Sequence, residues 1–232
     1  MDLEKSDQAR RNILARIRKA QGRGAPPAGG AHEINFSQAE REAAASYLKA
    51  HPRGPLPPVG GDLVACFRTR AEAMQSTTDF VAGMAAAPAA VARYLSVHNL
   101  PATGCVWPAL AALDWAASGI RVEPRAAQDA DLIGITGAFA GIAETGTLMS
   151  VSGAATPGSV SLLPETHIAI VAAGRIVAHM EDAWNLMRAE LGQPPRAVNF
   201  ISGPSRTGDI EQTIVLGAHG PYRVHVIVVG ND

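Results

Sequence analysis

His167-Ile168-Ala169-Ile170-Val171-Ala172 holds five consecutive apolar residues behind a single histidine. No polar residue alternates with them, so a strand built from this run must be covered on both faces. Val224-His225-Val226-Ile227-Val228-Val229 and Leu132-Ile133-Gly134-Ile135-Thr136 read the same way. Further strands are predicted over 78–81, 104–107, 147–151 and 197–201. Helical periodicity lies between them, over 89–98, 109–118, 180–191 and 209–216. Buried strands that alternate with helices predict an α/β fold, a mostly parallel sheet flanked by helices.

Outward from that block the pattern loosens. Asp62 or a neighbour starts a helix that carries Leu63, Val64, Phe67, Ala71 and Met74 at helical spacing. A helix over 38–49 precedes it, separated by a Pro/Gly-rich break over 52–61. Residues 3–20 read as an amphipathic helix, with Leu3, Ile13, Leu14 and Ile17 apolar and Arg10, Arg11, Arg16, Arg18 and Lys19 forming a basic face. The run Gly22-Arg23-Gly24-Ala25-Pro26-Pro27-Ala28-Gly29-Gly30 then breaks the chain. The expected organisation is an N-terminal helix and linker over 1–30 and an α/β domain over 31–232.

Composition narrows the function. Hydrophobic residues make up 47% and charged residues 18%, enough apolar mass for a sizeable core. A net charge of −1 leaves no basic surplus for phosphate backbones, so nucleic acid is not an expected partner. Only two cysteines occur, Cys66 and Cys105, whereas an iron–sulfur cluster needs about four thiolates. No cofactor is therefore expected in this chain. The charged start, Met1-Asp2-Leu3-Glu4-Lys5, does not suit a secretory signal, and no apolar run spans a bilayer. The expected compartment is the cytoplasm.

In parallel sheets ligands gather at the carboxyl ends of strands, which directs attention to the loops. In Gly141-Ile142-Ala143-Glu144-Thr145-Gly146-Thr147, Glu144 could serve as base, nucleophile or acceptor for ligand hydroxyls, with Thr145, Gly146 and Thr147 beside it. The same residues also make a simple turn with Gly146 in the left-handed region. In Ile201-Ser202-Gly203-Pro204-Ser205-Arg206-Thr207-Gly208-Asp209, Ser202, Gly203, Ser205, Thr207 and Asp209 surround Arg206, whose planar fork suits a carboxylate or phosphate. A capped helix start explains the same composition. His219 lies in a Gly/Pro turn and His167 opens a strand; each is either a proton carrier or a structural histidine. No metal site is diagnosed by their spacing. His32, His51, His98, His179 and His225 read as surface or filler positions.

Three stretches together carry a resemblance: Gly134 to Leu148 around Glu144-Thr-Gly-Thr147, Ser161 to Val171 around Glu165-Thr-His167, and Phe200 to Pro221 around Gly203-Pro-Ser205-Arg-Thr-Gly-Asp209. In that order they resemble the lactate utilization protein C family, whose shared unit is the LUD domain. The likeness covers the second half continuously, whereas residues 62–121 match only in pattern. It implies a fold similar to the NagB/RpiA/CoA-transferase group. It also implies a part in oxidising L-lactate to pyruvate, as a non-redox subunit whose iron–sulfur clusters sit in partner lactate-utilization proteins. A small anion such as lactate or phosphate is the implied ligand. Fold likeness leaves open a stand-alone enzyme acting on a phosphorylated, folate-like or acyl-CoA substrate, and a pure assembly module.

Overall fold

The computed structural model describes residues 3–22, 36–208 and 214–230. Contacts divide the chain into two units, 1–52 and 53–232. The first holds α1 (Leu3–Ala20) and α2 (Gln38–Ala50). Ser37 starts α2 through a capping box with Glu40, which satisfies amides that a helix start otherwise leaves without partners.

The second unit opens with α3 (Leu63–Ala73), where the Asp62 carboxylate accepts the N–H groups of Val64 and Ala65. Then come β1 (Thr77–Val81), α4 (Ala87–Val97), β2 (Thr103–Val106), β3 (Arg121–Pro124) and β4 (Ile133–Gly137). They are followed by β5 (Ala140–Ile142), β6 (Thr147–Val151), a short α5 (Ser159–Leu162), β7 (Thr166–Ala172) and β8 (Ile176–Val177). The last elements are α6 (Met180–Leu191), β9 (Val198–Ile201), β10 (Arg206–Gly208), β11 (Ile214–Leu216) and β12 (Arg223–Val229).

Six strands form one sheet in the order β1-β12-β7-β4-β2-β3, every neighbour pair parallel. The expected mostly parallel sheet is therefore present, and β7 and β4 lie at its centre. One face carries Ile133, Ile135, Ile168, Ile170, Ile227 and Val229 against Val91 and Leu95 of α4. The alternate residues, Ala169, Val171, Val224, Val226 and Val228, face Phe67 of α3 and Leu148 of β6. Burial on both sides is why these strands show no polar alternation. Each large side chain so enclosed contributes roughly 1.5–3 kcal/mol.

A second sheet, β8-β5-β6-β9, was not anticipated. Its β5–β6 and β6–β9 pairs are antiparallel. Leu148 points toward the main sheet, and Met149 points the other way onto Ala183 and Met187 of α6. The expected strands over 147–151 and 197–201 thus exist but belong to this sheet. Two expected helices are corrected. Residues 109–118 form two short 3-10 turns, Pro108–Leu110 and Ala116–Ser118, because Asp114 diverts the Ala117 N–H and Trp115 bonds back to the Leu110 carbonyl. Of the helix expected over 209–216, residues 209–213 lie outside the described residues. Ile214–Leu216 instead form β11, paired antiparallel with Arg206–Gly208, an arrangement suited to β-branched Ile214 and Val215.

Candidate functional site

Two turns singled out in the sequence are seated on the same helix. The β5–β6 hairpin closes through Glu144-Thr145-Gly146, with the Gly146 N–H donating to Ile142 at 2.9 Å. Gly146 adopts φ +66, and a Cβ there would lie 2.2 Å from the Ala71 nitrogen of α3. Only glycine combines that backbone with that approach. The Thr145 hydroxyl donates to Thr147 Oγ1 at 2.7 Å. One turn earlier on α3, the Cys66 thiol donates to the Ala143 carbonyl at 3.5 Å.

The second turn leaves β9. Ile201 pairs with Leu148, so Ser202 and Gly203 emerge beside the start of β6. Gly203 adopts φ +76, and a Cβ there would stand 2.0 Å from the Met74 carbonyl oxygen at the end of α3. The same oxygen accepts a hydrogen bond from the Arg206 guanidinium at 2.9 Å. Ala71 and Met74 are one helical turn apart, about 4.5 Å of rise. The hairpin of Glu144 and the loop of Arg206 are thereby neighbours on α3. Arg206 is exposed and donates to Met74, and among the described residues no other partner of its fork is found. Thr207 follows in β10, and Asp209 lies outside the described residues.

Glu144 has a partner that spacing did not reveal. Its Oε2 lies 2.9 Å from Nδ1 of His179, with the two side chains 27% and 13% exposed. Backbone bonds from Ala143 to the Val177 carbonyl and from Glu144 to the Ala178 carbonyl bring the chain of β8 alongside and deliver His179 there. His179 occupies the N-cap of α6, and its N–H donates to Asp182 Oδ2 at 3.1 Å. Asp182 Oδ1 in turn pairs with Arg53 at 2.8 Å. The reading of His179 as a filler position is corrected. The one local signal was its place three residues before Asp182, which marks a helix start and says nothing of Glu144.

The other candidates separate from this pair. Ser205 donates its N–H to the Pro221 carbonyl and accepts from Gly217, tying its loop to the turn before β12. His219 lies in that turn, in a cavity of about 390 Å³ shared with Glu165, Leu163 and Tyr222. These loops sit at the amino ends of β1, β7 and β12, not at the expected carboxyl ends. The reason is that β9 runs in the antiparallel second sheet, so its end does not open onto the carboxyl rim of the main one. His167 is sealed in the core. Its Nε2 meets the Thr136 hydroxyl at 2.7 Å, while Nδ1 is buried with no partner among the described residues. Burial alone pushes its pKa down to about 4. His225, read as filler, is also buried, stacked on Tyr94 and bonded to Thr77 at 2.8 Å. Among the described residues no group of three or more His, Cys, Asp or Glu is placed to hold a metal ion.

The family model of the LUD domain matches residues 67–229. The chain belongs to the LUD domain family. Every described turn residue discussed above falls inside the matched stretch of this LUD domain, while Cys66 and Arg53 precede it. Among similar proteins is lactate utilization protein C of Geobacillus sp. (strain WCH70), 39% identical over 118 residues, covering 50% of this chain and 48% of that protein. Lactate utilization protein C of Halalkalibacterium halodurans is 44% identical over 106 residues, 44% of this chain and 46% of the relative. The Bacillus subtilis (strain 168) protein of that name is 36% identical over 121 residues, 51% of this chain and 50% of the relative. The chain spans about half the length of the curated relatives it matches. A solved DUF162 family protein from Deinococcus radiodurans superposes with a TM-score of 0.57 at 26% identity, covering 75% of this chain and 100% of that one. These matches agree with the family resemblance read from the three stretches. Among the described residues, no helix of the LUD domain protein is long and apolar enough to cross a membrane.

Proposed function

We propose that this LUD domain protein takes part in bacterial lactate utilization, as a subunit that binds a small anion and leaves electron transfer to iron–sulfur partners. The observation that carries the reading is the match to proteins named lactate utilization protein C. The placement of two hydroxyl- and glycine-rich turns beside Arg206 on α3 supports an anion as the ligand. The cysteines support the absence of a cluster in this chain. Cys66 and Cys105 stand in different surroundings, and burial, with Asp131 adding to it, pushes the Cys105 thiol up to about 12. A thiol so held stays protonated and makes a poor metal ligand.

Deletion of the gene in its own bacterium tests the reading. Growth on L-lactate as sole carbon source should fail and growth on pyruvate should persist. An affinity-tagged chain restored from a plasmid should recover growth and bring down proteins that carry iron–sulfur absorbance. Normal growth on lactate after deletion overturns it. A tagged Arg206→Ala chain should fold, co-purify with the same partners and restore growth poorly.

A further inference from the structure

The Glu144–His179 pair has a property that its turn does not need. Gly146 and the backbone ladder already hold the hairpin in place, so a side-chain clamp at its tip is redundant for folding. The pair is also partly open to solvent, with the His179 side chain 13% and the Glu144 side chain 27% exposed. A carboxylate has no proton to give, so at 2.9 Å the Nδ1 of a neutral His179 must carry the hydrogen. The tautomer is thereby fixed, with the lone pair on Nε2. No other side chain is hydrogen-bonded to Nε2 among the described residues. The ring is oriented from one side by a carboxylate, and its backbone is fixed through the N–H bond to Asp182, itself paired with Arg53. A preset acceptor is left on a ring that is partly open to solvent, oriented by the residue that precedes the hydrogen-bonded Thr145 in the hairpin turn.

We infer that Nε2 of His179 is the acceptor that recognises the hydroxyl group of a bound 2-hydroxy acid, with Glu144 as the positioning residue that fixes the ring. The inference rests on the lactate reading for its ligand class, but its geometry comes from the pair alone. It assigns Glu144 no direct contact with the ligand. It also accounts for selection: once a ligand covers the ring, an acceptor set for an O–H group rejects the analogue that lacks it, because the acceptor is then left without a partner.

Diethyl pyrocarbonate acylates neutral, accessible imidazole and supplies the test, with modified histidines mapped by mass spectrometry. The full chain is used, together with any subunits that co-purify. His179 should react, and glycolate, L-lactate, D-lactate or malate should slow its modification by about tenfold at saturation. The matched deoxy acids acetate, propionate and succinate should give little protection. Protection by a hydroxy acid other than lactate supports the site and removes lactate as its ligand, a result that separates this inference from the functional reading. Equal protection by both classes, protection by neither, or a His179 inert to the reagent overturns it. Glu144→Gln provides the readout that a merely structural clamp would not move. An amide can donate to Nδ1, which shifts the neutral ring toward the tautomer with hydrogen on Nε2. Nitrogen-15 NMR should show that change while the melting temperature holds, and hydroxy-acid protection should be lost. An unchanged tautomer with unchanged protection also refutes the role given to Glu144.

Discussion

Replacing Gly146 with alanine isolates the contact that seats the Glu144 hairpin on α3. Two costs are built into the position. At φ +66 an L-residue pays roughly 1–2 kcal/mol for the left-handed conformation. The added methyl would then lie 2.2 Å from the Ala71 nitrogen and 2.5 Å from the Arg70 carbonyl carbon, both backbone atoms of a capped helix that cannot rotate away. Forcing such a shift costs a further ~1–3 kcal/mol. Gly119 supplies the control: it adopts φ +75, yet a Cβ there meets nothing within 4 Å. Gly119→Ala therefore carries the conformational cost alone. For a unit of this size each kcal/mol moves the melting temperature by about 2–4 °C. Gly146→Ala should lose on the order of 4–20 °C and Gly119→Ala about 2–8 °C. Calorimetry and urea midpoints on the purified full chain measure both. Equal losses in the two variants would show that the hairpin does not rest on α3 as described, and the neighbourhood of Glu144 and Arg206 would go with it.

Acid should weaken the fold between about pH 6.5 and 4. Burial holds the imidazoles of both His167 and His225 down to about 4, whereas an unfolded chain protonates them near 6.5. The unfolded state thus binds more protons across that window, so stability is full above it and falls as pH drops, by up to ~1.4 kcal/mol per pH unit for each ring. Urea midpoints that stay level from pH 7 to 5 would contradict the burial. Asp79 and Asp131 are held below their usual range, so their loss belongs to a lower pH and does not mimic the effect. Arg206→Ala should cost no more than about 1 kcal/mol, because water can replace the guanidinium on the Met74 carbonyl. Its effect on anion affinity, read by calorimetric titration with lactate, should be about tenfold or greater. Arg125→Ala should be more damaging, by about 1–3 kcal/mol. It strips two bonds of 2.6 and 2.9 Å from Asp131, whose side chain is only 9% exposed, and leaves the Gln128 N–H and the Cys105 thiol on it. A denaturation midpoint within error of the wild type would show that the pair is solvated.

Where a strand is covered on both faces, its sequence says so, and β4, β7 and β12 were legible for that reason. The edge strand β3, Arg121-Val122-Glu123-Pro124, was not, because only Val122 is even partly buried. Burial does not encode direction. All but the last residue of β6 are buried, just as in a parallel strand, since α6 covers one side and the main sheet with α3 the other. Nothing in Thr147-Leu148-Met149-Ser150-Val151 reports that its neighbours run the opposite way. The run Ile214-Val215-Leu216 was ambiguous in the same sense. Its apolar residues suit a helix face or a strand, and the pairing with Arg206–Gly208 decides between them.

The turns of the candidate site were legible because backbone geometry selects glycine locally. Gly146 was expected in the left-handed region and is found there, and Gly203 also adopts a left-handed backbone, against the Met74 carbonyl. The identity of their neighbours is a different kind of information. His179 stands 35 residues beyond Glu144, and the two meet only because β8 pairs with β5 and carries the chain past the hairpin. The rule that looks to carboxyl ends does not describe the position of the Arg206 loop, for a related reason. It presumes that each loop follows a strand of the main sheet, and the Arg206 loop follows a strand of the second. What draws that loop toward Glu144 is α3, whose final carbonyl bonds Arg206 and is closely approached by Gly203. A helix end that spends its last acceptor on an arginine fixes that arginine's position, and a carbonyl does not neutralise its charge. The exposed cation beside two glycine turns is thus a direct consequence of how α3 ends.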